Sequence, residues 1–168
     1  MSRGFVKEDD QEEIPLVPAR VHLPEGVTNY VTPVGMNEFL EEKQKLMDEK
    51  DQLELTNENE KRIAVNHINA KLQLLNNRIS TAKLIKLEDQ PKNEVRFGAW
   101  VTLKIGSQTK LQRYQIVGVD EADISKRKIS FISPIAQILT NKKVGEKATL
   151  KLAKEDRVFE VIQIDYAP

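Results

Sequence analysis

Side chains capable of chemistry are sparse in this sequence, and most of them are carboxylates. The 168 residues include no cysteine and only two histidines, His22 and His67, which are far apart in the chain. No serine, histidine and aspartate cluster in one region, and no glycine-rich phosphate loop or metal-ligand spacing occurs. The lack of cysteine excludes a thiolate nucleophile, disulfides and thiolate zinc sites. We therefore expect a protein that is not an enzyme on its own.

Two groups of acids remain as candidate functional residues. One lies between Glu54 and Glu60, and the other is the run Asp120-Glu121-Ala122-Asp123. Acids between two strands are usually a solvated turn, and acids on a helix often pair with bases on a neighbouring helix. The function of either group therefore depends on the elements that present it.

Residues 32–85 have the periodicity of an antiparallel helical hairpin. Thr32 is a candidate N-cap with Pro33 at the first helical position, where its missing N–H costs nothing. A polar stretch near residues 56–60 predicts the tip between the two arms. The apolar positions recur three, four and seven residues apart, and in the second arm they form a heptad seam: Met36, Phe39, Leu40, Leu46, Met47 and Leu53, then Val65, Ile68, Leu72, Leu75, Ile79 and Ala82.

Charge is divided between the two predicted arms, although the whole chain has 26 basic and 26 acidic residues. Acids predominate in residues 34–60, whereas residues 61–85 contain bases and no acid. Cross-pairs at the edges of the seam account for most of these acids. Each exposed pair contributes only about 0.2–1 kcal/mol, so the pairs select the partner helix more than they stabilise it.

The C-terminal half has the pattern of an α+β domain. Residues 86–94 are polar, contain Pro91 and are expected to be a linker, and residues 95–168 are expected to be the domain. Ser133 and Pro134 favour the start of a short helix that runs to about Leu139. Strands with one helix inserted among them favour an α+β fold. The β-rich runs are Val95–Ile105, Leu111–Val119, Lys128–Ile132, Ala148–Leu152 and Val158–Tyr166.

Residues 1–31 have the composition of an extended, acidic N-terminal arm. They contain three prolines, an acidic cluster from Glu8 to Glu13 and little periodicity. The first residues lack the apolar core of a signal peptide, and no run approaches the ~18 apolar residues of a membrane span. We expect a cytoplasmic protein that makes no membrane contact and is a monomer.

Two long sequence motifs in the C-terminal half resemble those of a known family. Tyr114–Asp123 has the form YxIVGxDEAD, and Ile129–Ala136 has the form ISxxSPIA. They agree in type, order and separation with the C-terminal domain of the Gre transcript-cleavage factors, GreA and GreB, which bind bacterial RNA polymerase. The opening Ser2–Glu8 and the segment Asn29–Pro33 are similar to the start of some GreB-like proteins. The resemblance implies an FKBP-like fold for the C-terminal domain.

The resemblance also implies a docking surface. In the family, the loop and the helix formed by these two motifs face a coiled coil at the rim of the polymerase secondary channel. Carried over to this sequence, the candidate docking residues are Asp120, Glu121, Asp123, Ser133, Pro134 and Ile135.

The predicted hairpin tip is where the resemblance places chemistry. In the family, the coiled coil enters the secondary channel, and tip carboxylates share a Mg²⁺ ion of the polymerase active site during hydrolysis of backtracked RNA. The polymerase makes the cut, and contact with RNA and DNA is indirect. The corresponding acids here are Glu54, Glu58 and Glu60.

The tip also departs from the family pattern. The family has Asp and Glu three residues apart, whereas the register that keeps Glu58 places Leu55 at the Asp position. The register that matches the Asp to Glu54 instead places Asn57 at the Glu position, so neither register restores the pair. The segment from Thr32 to Ile85 is also shorter than the family pattern by about seven residues per arm, or ~10 Å of reach. Two activities therefore stay open, cleavage stimulation and occupation of the channel without cleavage.

A different class of function is a prolyl isomerase or chaperone that uses the C-terminal domain. Such an activity needs an apolar pocket lined by aromatic rings, but the aromatic residues of this domain are spaced as in a strand core. Sequence-specific DNA binding has still less support, because Lys126-Arg127-Lys128 is a short basic turn without a recognition helix beside it.

Overall fold

The computed structural model describes residues 15–167, which begin with an extended segment and continue into a helical hairpin. Strand β1 (Asn29–Val31) leads into helix α1 (Pro33–Asp51). Helix α2 (Glu58–Thr81) returns along α1 and passes directly into strand β2 (Ala82–Leu84). Strands β1 and β2 pair in parallel, so the two ends of the hairpin are tied together at its base.

Helix α1 begins where the sequence predicts, whereas α2 begins at Glu58, within the stretch predicted as the tip. The Thr32 hydroxyl accepts from the Gly35 N–H at 3.0 Å, with Pro33 in the first turn. The Asn57 side chain accepts from the N–H groups of Asn59 and Glu60 at the start of α2. The seam buries Phe39, Leu46, Ile68 and Leu75 of the predicted stripes together with Val31 of β1, but Leu40 and Met47, which were also predicted for the stripe, are exposed.

The C-terminal half is a curled, mixed sheet with one short helix. The strand order is β5-β4-β3-β7-β6, in which β4 and β5 are parallel and the other neighbours are antiparallel. The β3–β7 register shifts between Thr102 and Leu103, which bends the sheet. The elements are β3 (Trp100–Ile105), β4 (Gln112–Val117), β5 (Lys128–Ser130), α3 (Pro134–Leu139), β6 (Lys147–Lys151) and β7 (Asp156–Asp165).

The core of this domain lies between α3 and the inner face of the sheet. Alternate residues of β3 and β7, such as Val101, Leu103, Phe159 and Val161, point inward and are buried with Leu139 of α3. Ser133 caps α3 by accepting from the Ala136 N–H, as its position before Pro134 predicts. The fold class predicted from the sequence, a helical hairpin followed by an α+β domain with one short helix, is confirmed.

Several boundaries differ from those expected, including the end of the second arm, where residues 82–84 form β2. Residues 29–31, assigned to the arm, form β1, because the hairpin base needs a strand to pair with β2. Residues 86–94 are not a free linker, since Leu87 in a short 3₁₀ turn (Leu87–Asp89) is buried against Gly98. The first predicted strand starts at Trp100 rather than at Val95. Within residues 15–167, neither long helix has the unbroken apolar stretch that crossing a bilayer requires.

Candidate functional site

The tip of the hairpin is a short polar turn with acids on it. Helix α1 ends at Asp51, and α2 begins at Glu58, so Glu54 lies in the connecting turn. Glu58 and Glu60 lie in the first turn of α2, where negative charge is favoured by the helix dipole. All three side chains are exposed to solvent. The tip thus presents carboxylates at the end of the hairpin that is remote from its β1–β2 base.

The tip carboxylates have no partners within the described part of the chain. Glu54, Glu58 and Glu60 form no ion pair and accept no side-chain hydrogen bond there. Residues 15–167 also contain no group of three histidine, cysteine or acidic side chains arranged to hold a metal ion. Exposed carboxylates of this kind are hard oxygen ligands of the type that Mg²⁺ prefers.

The Ser-Pro segment at the start of α3 is on the surface. Pro134 is exposed and Ser133 is half-buried with its hydroxyl engaged as the cap of α3. Ile135 is different, because it packs partly against the core of the C-terminal domain. Of the three predicted docking residues here, Pro134 is the most accessible to a partner.

The three acids of the turn after β4 have separate roles. Asp123 accepts hydrogen bonds from the hydroxyl and the N–H of Ser125, at 2.6 and 3.0 Å, which lower the pKa of its carboxyl group. These bonds cap the 3₁₀ turn at Ile124–Lys126. Asp123 is therefore accessible but also fixes the local turn.

Asp120 and Glu121 are not surface acids, and the prediction that they dock on a partner needs correction. Asp120, whose side chain is only 9% exposed, forms ion pairs with Arg20 and Arg78. Glu121 is buried and accepts from the Thr32 hydroxyl at 2.5 Å and from Lys128 at 3.1 Å. Both carboxylates face the N-terminal half of the chain, and in this structure they are shielded from any partner.

These contacts define a domain joint, formed where the turn at residues 118–121 meets the base of the hairpin. Arg20 donates through Nε to Asp120 at 3.0 Å and through both terminal nitrogens to Glu42 of α1, at 2.8 and 3.2 Å. Its hydrogen bonds to Glu42 are the main cause of a raised pKa of its guanidinium. Nε of Arg78, near the end of α2, lies 3.2 Å from Asp120 Oδ2. Two cations and two carboxylates thus neutralise each other at the joint.

Close backbone approach is the second feature of the domain joint. A Cβ atom on Gly118 would collide with the carbonyl oxygen of Tyr30, and one on Gly35 would lie 2.7 Å from a Glu121 oxygen. The cavity left between the two halves is about 50 Å³, enough for little more than a water molecule. The joint is therefore a packed interface and not a ligand pocket.

Aromatic rings complete the joint. Tyr30 of β1 packs against Phe97 and Phe131 of the C-terminal domain, with ring centroids 5.6 and 5.5 Å apart. Of the other aromatic residues, Phe159 is buried in the sheet core, and Trp100 stacks under Arg113 at 4.4 Å. These aromatic side chains are thus used in packing within and between the two halves of the chain.

Sequence reasoning missed the residues that build the joint from the N-terminal side. Arg20 stands in a proline-rich segment with no periodicity, and Arg78 appears to be one more base on a basic helix. A partial signal was present at Gly118, since a glycine inside a β-rich word indicates close approach of another backbone. No pattern in the sequence indicated that Asp120 pairs with residues 100 and 42 positions earlier.

The comparison with protein families matches the C-terminal half of the chain. Residues 90–166 match the family described as "Transcription elongation factor, GreA/GreB, C-term". The match covers β3 to β7 and includes both sequence motifs, Tyr114–Asp123 and Ile129–Ala136. This part of the chain is therefore similar to the C-terminal domain of GreA/GreB transcription elongation factors.

Curated proteins that resemble this chain are also transcription elongation factors. The chain is 36% identical over 99 residues to transcription elongation factor GreA of Hyphomonas neptunium, which is 59% of this chain and 63% of that protein. It is 32% identical over 101 residues to GreB of Pseudomonas aeruginosa, which is 60% of each protein. The matched region thus spans less than two thirds of the length of these relatives.

Two solved structures align with most of this chain. Gfh1, the GreA factor homolog of Thermus thermophilus, is 19% identical with a TM-score of 0.38, over 83% of this chain and 99% of that one. GreA/GreB of Nitrosomonas europaea is 13% identical with a TM-score of 0.41, over the same shares. Both likenesses are too loose for a residue-by-residue comparison.

Proposed function

We propose that this protein binds RNA polymerase through its C-terminal domain and places its helical hairpin in the secondary channel of the enzyme. The observation that carries the proposal is the exposed acidic tip at the free end of a hairpin whose base is fixed to a GreA/GreB-type domain. At 1.5 Å per residue, α1 is about 28 Å long and α2 about 36 Å. A projection of this size reaches well beyond the domain that carries it.

The docking surface in this proposal centres on the start of α3. Pro134 is exposed there, and it is held in place by the Ser133 cap rather than by contacts with the hairpin. Asp123 is accessible in the same domain. Asp120 and Glu121 are left out of the docking surface because the domain joint occupies them. The monomer is the functional unit in this proposal, and contacts with RNA and DNA are indirect.

The chain acts on backtracked complexes without being a catalyst itself. Exposed carboxylates at Glu54, Glu58 and Glu60 are suitable oxygen ligands for the Mg²⁺ of the polymerase, which performs the hydrolysis. The alternative is a regulator that occupies the channel without stimulating cleavage. That alternative is favoured by Leu55, which stands at the position of the family aspartate and is 41% exposed without an oxygen to offer.

Cleavage of backtracked elongation complexes distinguishes these two activities. The variant with Glu54→Gln, Glu58→Gln and Glu60→Gln keeps the shape of the tip and removes its charge. Its matched control carries the same change at three exposed acids away from the tip, namely Glu25, Glu88 and Glu155. Stimulation by the parent and the control, with loss in the tip variant, supports shared metal chemistry. Intact polymerase binding with no stimulation by the parent establishes the channel regulator instead.

Docking is tested separately by placing a charge on Pro134. Pro134→Glu should weaken binding to purified RNA polymerase at least tenfold without unfolding the domain, because Pro134 is exposed. Pro91→Glu is the matched control, since Pro91 is also exposed but lies in the segment before β3. Equal binding by Pro134→Glu and the parent would show that this segment is only a helix start and would refute the proposed docking surface.

A further inference from the structure

The segment that precedes the hairpin lies across the domain joint. Residues 15–28 form no helix or strand, yet Arg20 within them contacts both halves of the molecule. Its guanidinium is held by Glu42 on α1 and by Asp120 in the turn after β4, and it lies 5.7 Å from the centre of the Phe39 ring. A single side chain thus connects the first helix to the C-terminal domain.

The geometry of Arg20 differs from that of an ordinary surface ion pair. Its side chain is 20% exposed, and its carboxylate partner Asp120 is 9% exposed. The guanidinium uses its terminal nitrogens on Glu42 and its Nε on Asp120, so its plane is fixed by three hydrogen bonds. The planar guanidinium group fixes both the distance to its carboxylate partners and the direction in which they lie. A lysine ammonium group would not fix that direction.

The backbone next to Arg20 is also anchored. A terminal nitrogen of Arg78, on α2, donates to the carbonyl oxygen of Val21. The same guanidinium lies against Asp120 through its Nε. The segment is therefore tied to α1, to α2 and to the C-terminal domain within two consecutive residues.

We propose that Arg20 is a positioning residue that fixes the direction of the hairpin relative to the C-terminal domain. The contact between Gly118 and Tyr30 and the bond between Thr32 and Glu121 hold the two halves together at the base of the hairpin. These contacts lie close to one another and act as a pivot. Arg20 links Glu42, about two and a half turns along α1, to Asp120 beside the pivot, and this second attachment on α1 restricts rotation of the hairpin about the pivot.

The consequence for function follows from the length of the hairpin, and it rests on the proposed function. With arms of about 28 Å, a rotation of about 10° at the joint displaces the tip by roughly 5 Å. A metal–carboxylate bond of about 2.1 Å does not tolerate such a displacement. When the C-terminal domain docks, the direction set by Arg20 decides where the tip acids arrive.

The absence of cysteine from the sequence makes a direct test simple. Spin labels are attached to the full chain at Thr56→Cys, in the tip, and at Ser107→Cys, in the exposed turn between β3 and β4. Pulsed electron spin resonance then gives the distribution of tip-to-domain distances. Arg20→Ala should broaden this distribution at least twofold, and Arg20→Lys should give an intermediate width, because it keeps the charge and loses the fork.

Matched variants distinguish a positioning role of Arg20 from a general loss of rigidity in the protein. Glu42→Gln removes the partner on α1 and should broaden the distribution as Arg20→Ala does, and it carries the test if Arg20→Ala fails to fold. Arg113→Ala removes an arginine whose pair with Asp165 is exposed and remote from the joint, so it should leave the width unchanged. An unchanged width in the folded Arg20→Ala and Glu42→Gln variants would overturn the proposal. Equal broadening by Arg113→Ala would overturn it as well.

The distance measurement uses the free protein, so its outcome does not depend on polymerase binding. If the parent fails to bind RNA polymerase, the proposed function is refuted while the result on Arg20 stands. If the parent binds, the Arg20→Ala variant should bind RNA polymerase with an affinity within twofold of the parent's. The yield of crosslinks from Thr56→Cys in the tip to the polymerase should fall by at least half. A variant that retains full tip contact would refute the link between hairpin direction and function.

Discussion

The two ends of the hairpin both involve acids, and they use them in opposite ways. At the tip, Glu54, Glu58 and Glu60 are exposed and have no partner within residues 15–167. At the base, Asp120 and Glu121 are shielded and are held by three basic side chains and one hydroxyl, those of Arg20, Arg78, Lys128 and Thr32. Carboxylates at the tip are available to another molecule, whereas those at the joint are used for architecture.

The difference shows that a sequence motif shared with a family does not by itself assign a role to each of its residues. Gly118, Asp120 and Glu121 belong to the motif Tyr114–Asp123, and all three face the hairpin. Pro134, in the motif Ile129–Ala136, faces solvent. The first motif therefore contributes to the fit between the two halves of the chain, whereas the second leaves Pro134 exposed to solvent.

The largest predicted effect is at Asp120. Asp120→Ala leaves two largely shielded guanidinium groups, those of Arg20 and Arg78, without their shared counter-charge. Removing one partner of such a pair is expected to lower the free energy of unfolding by about 3 kcal/mol. Urea unfolding followed by circular dichroism measures the change. Glu60→Ala at the tip is the control and should change it by less than about 0.5 kcal/mol. A similar loss from both variants would remove the distinction between joint and tip.

A somewhat smaller effect is expected from Gly118→Ala. The added Cβ would meet the carbonyl oxygen of Tyr30, and backbone cannot move aside as a side chain can. Overpacking of this kind should lower the free energy of unfolding by about 2 kcal/mol. Gly35→Ala is the matched change, and it should cost less, because its nearest neighbour is a side-chain oxygen of Glu121 rather than backbone and alanine favours the helix. Equal costs would mean that the joint is not closely packed at Gly118.

Tyr166 provides a reference inside one domain. Its hydroxyl donates to the Glu94 carbonyl oxygen at 2.6 Å and accepts from the Arg96 N–H at 2.8 Å, and burial raises the pKa of the phenol. Tyr166→Phe should therefore cost about 1 kcal/mol, the value of an ordinary hydrogen bond. Unfolding in urea at pH 8 measures this cost.

The pH dependence of the parent follows from the raised pKa of Tyr166. The folded state binds the phenolic proton more tightly than the unfolded state does, so the stabilisation is present below pH ~10 and is lost as the pH rises through the folded value. The difference between parent and Tyr166→Phe should shrink between pH 8 and pH 11. A difference that grows over this range would contradict the assigned hydrogen bond.

The smallest effect on stability is expected at the tip. Changing Glu54, Glu58 and Glu60 together to Gln removes no paired group and weakens only the favourable interaction of Glu58 and Glu60 with the dipole of α2. The free energy of unfolding should fall by less than about 1 kcal/mol. A loss as large as that of Asp120→Ala would show that the tip acids are structural.

Much of the fold followed from local patterns in the sequence. The two apolar stripes, the caps at Thr32 and Ser133 and the alternation within β3 and β7 are local, and each predicted its element. The boundaries at residues 29–31 and 86–94 were not predictable in this way. Their conformation depends on β1 pairing with β2 and on Leu87 packing against Gly98, and neither contact is visible in the local pattern.

The candidate site was predictable in part for the same reason. The tip acids follow from the position of the turn between two amphipathic helices. The role of Asp120 depends on Arg20, 100 residues earlier, in a segment with no periodic signal. A contact of that sequence separation is decided by tertiary packing, so the residue type alone could not indicate that Asp120 is shielded and paired.

The most direct test of the account is a crosslink from the hairpin tip to RNA polymerase. A photoreactive group is attached at Thr56→Cys in the otherwise cysteine-free full chain, which is then added to purified elongation complexes. The account predicts crosslinks to the polymerase subunits that form the active centre, and their loss when Pro134→Glu is added to the same chain. An absence of tip crosslinks, or crosslinks that survive Pro134→Glu, would contradict it.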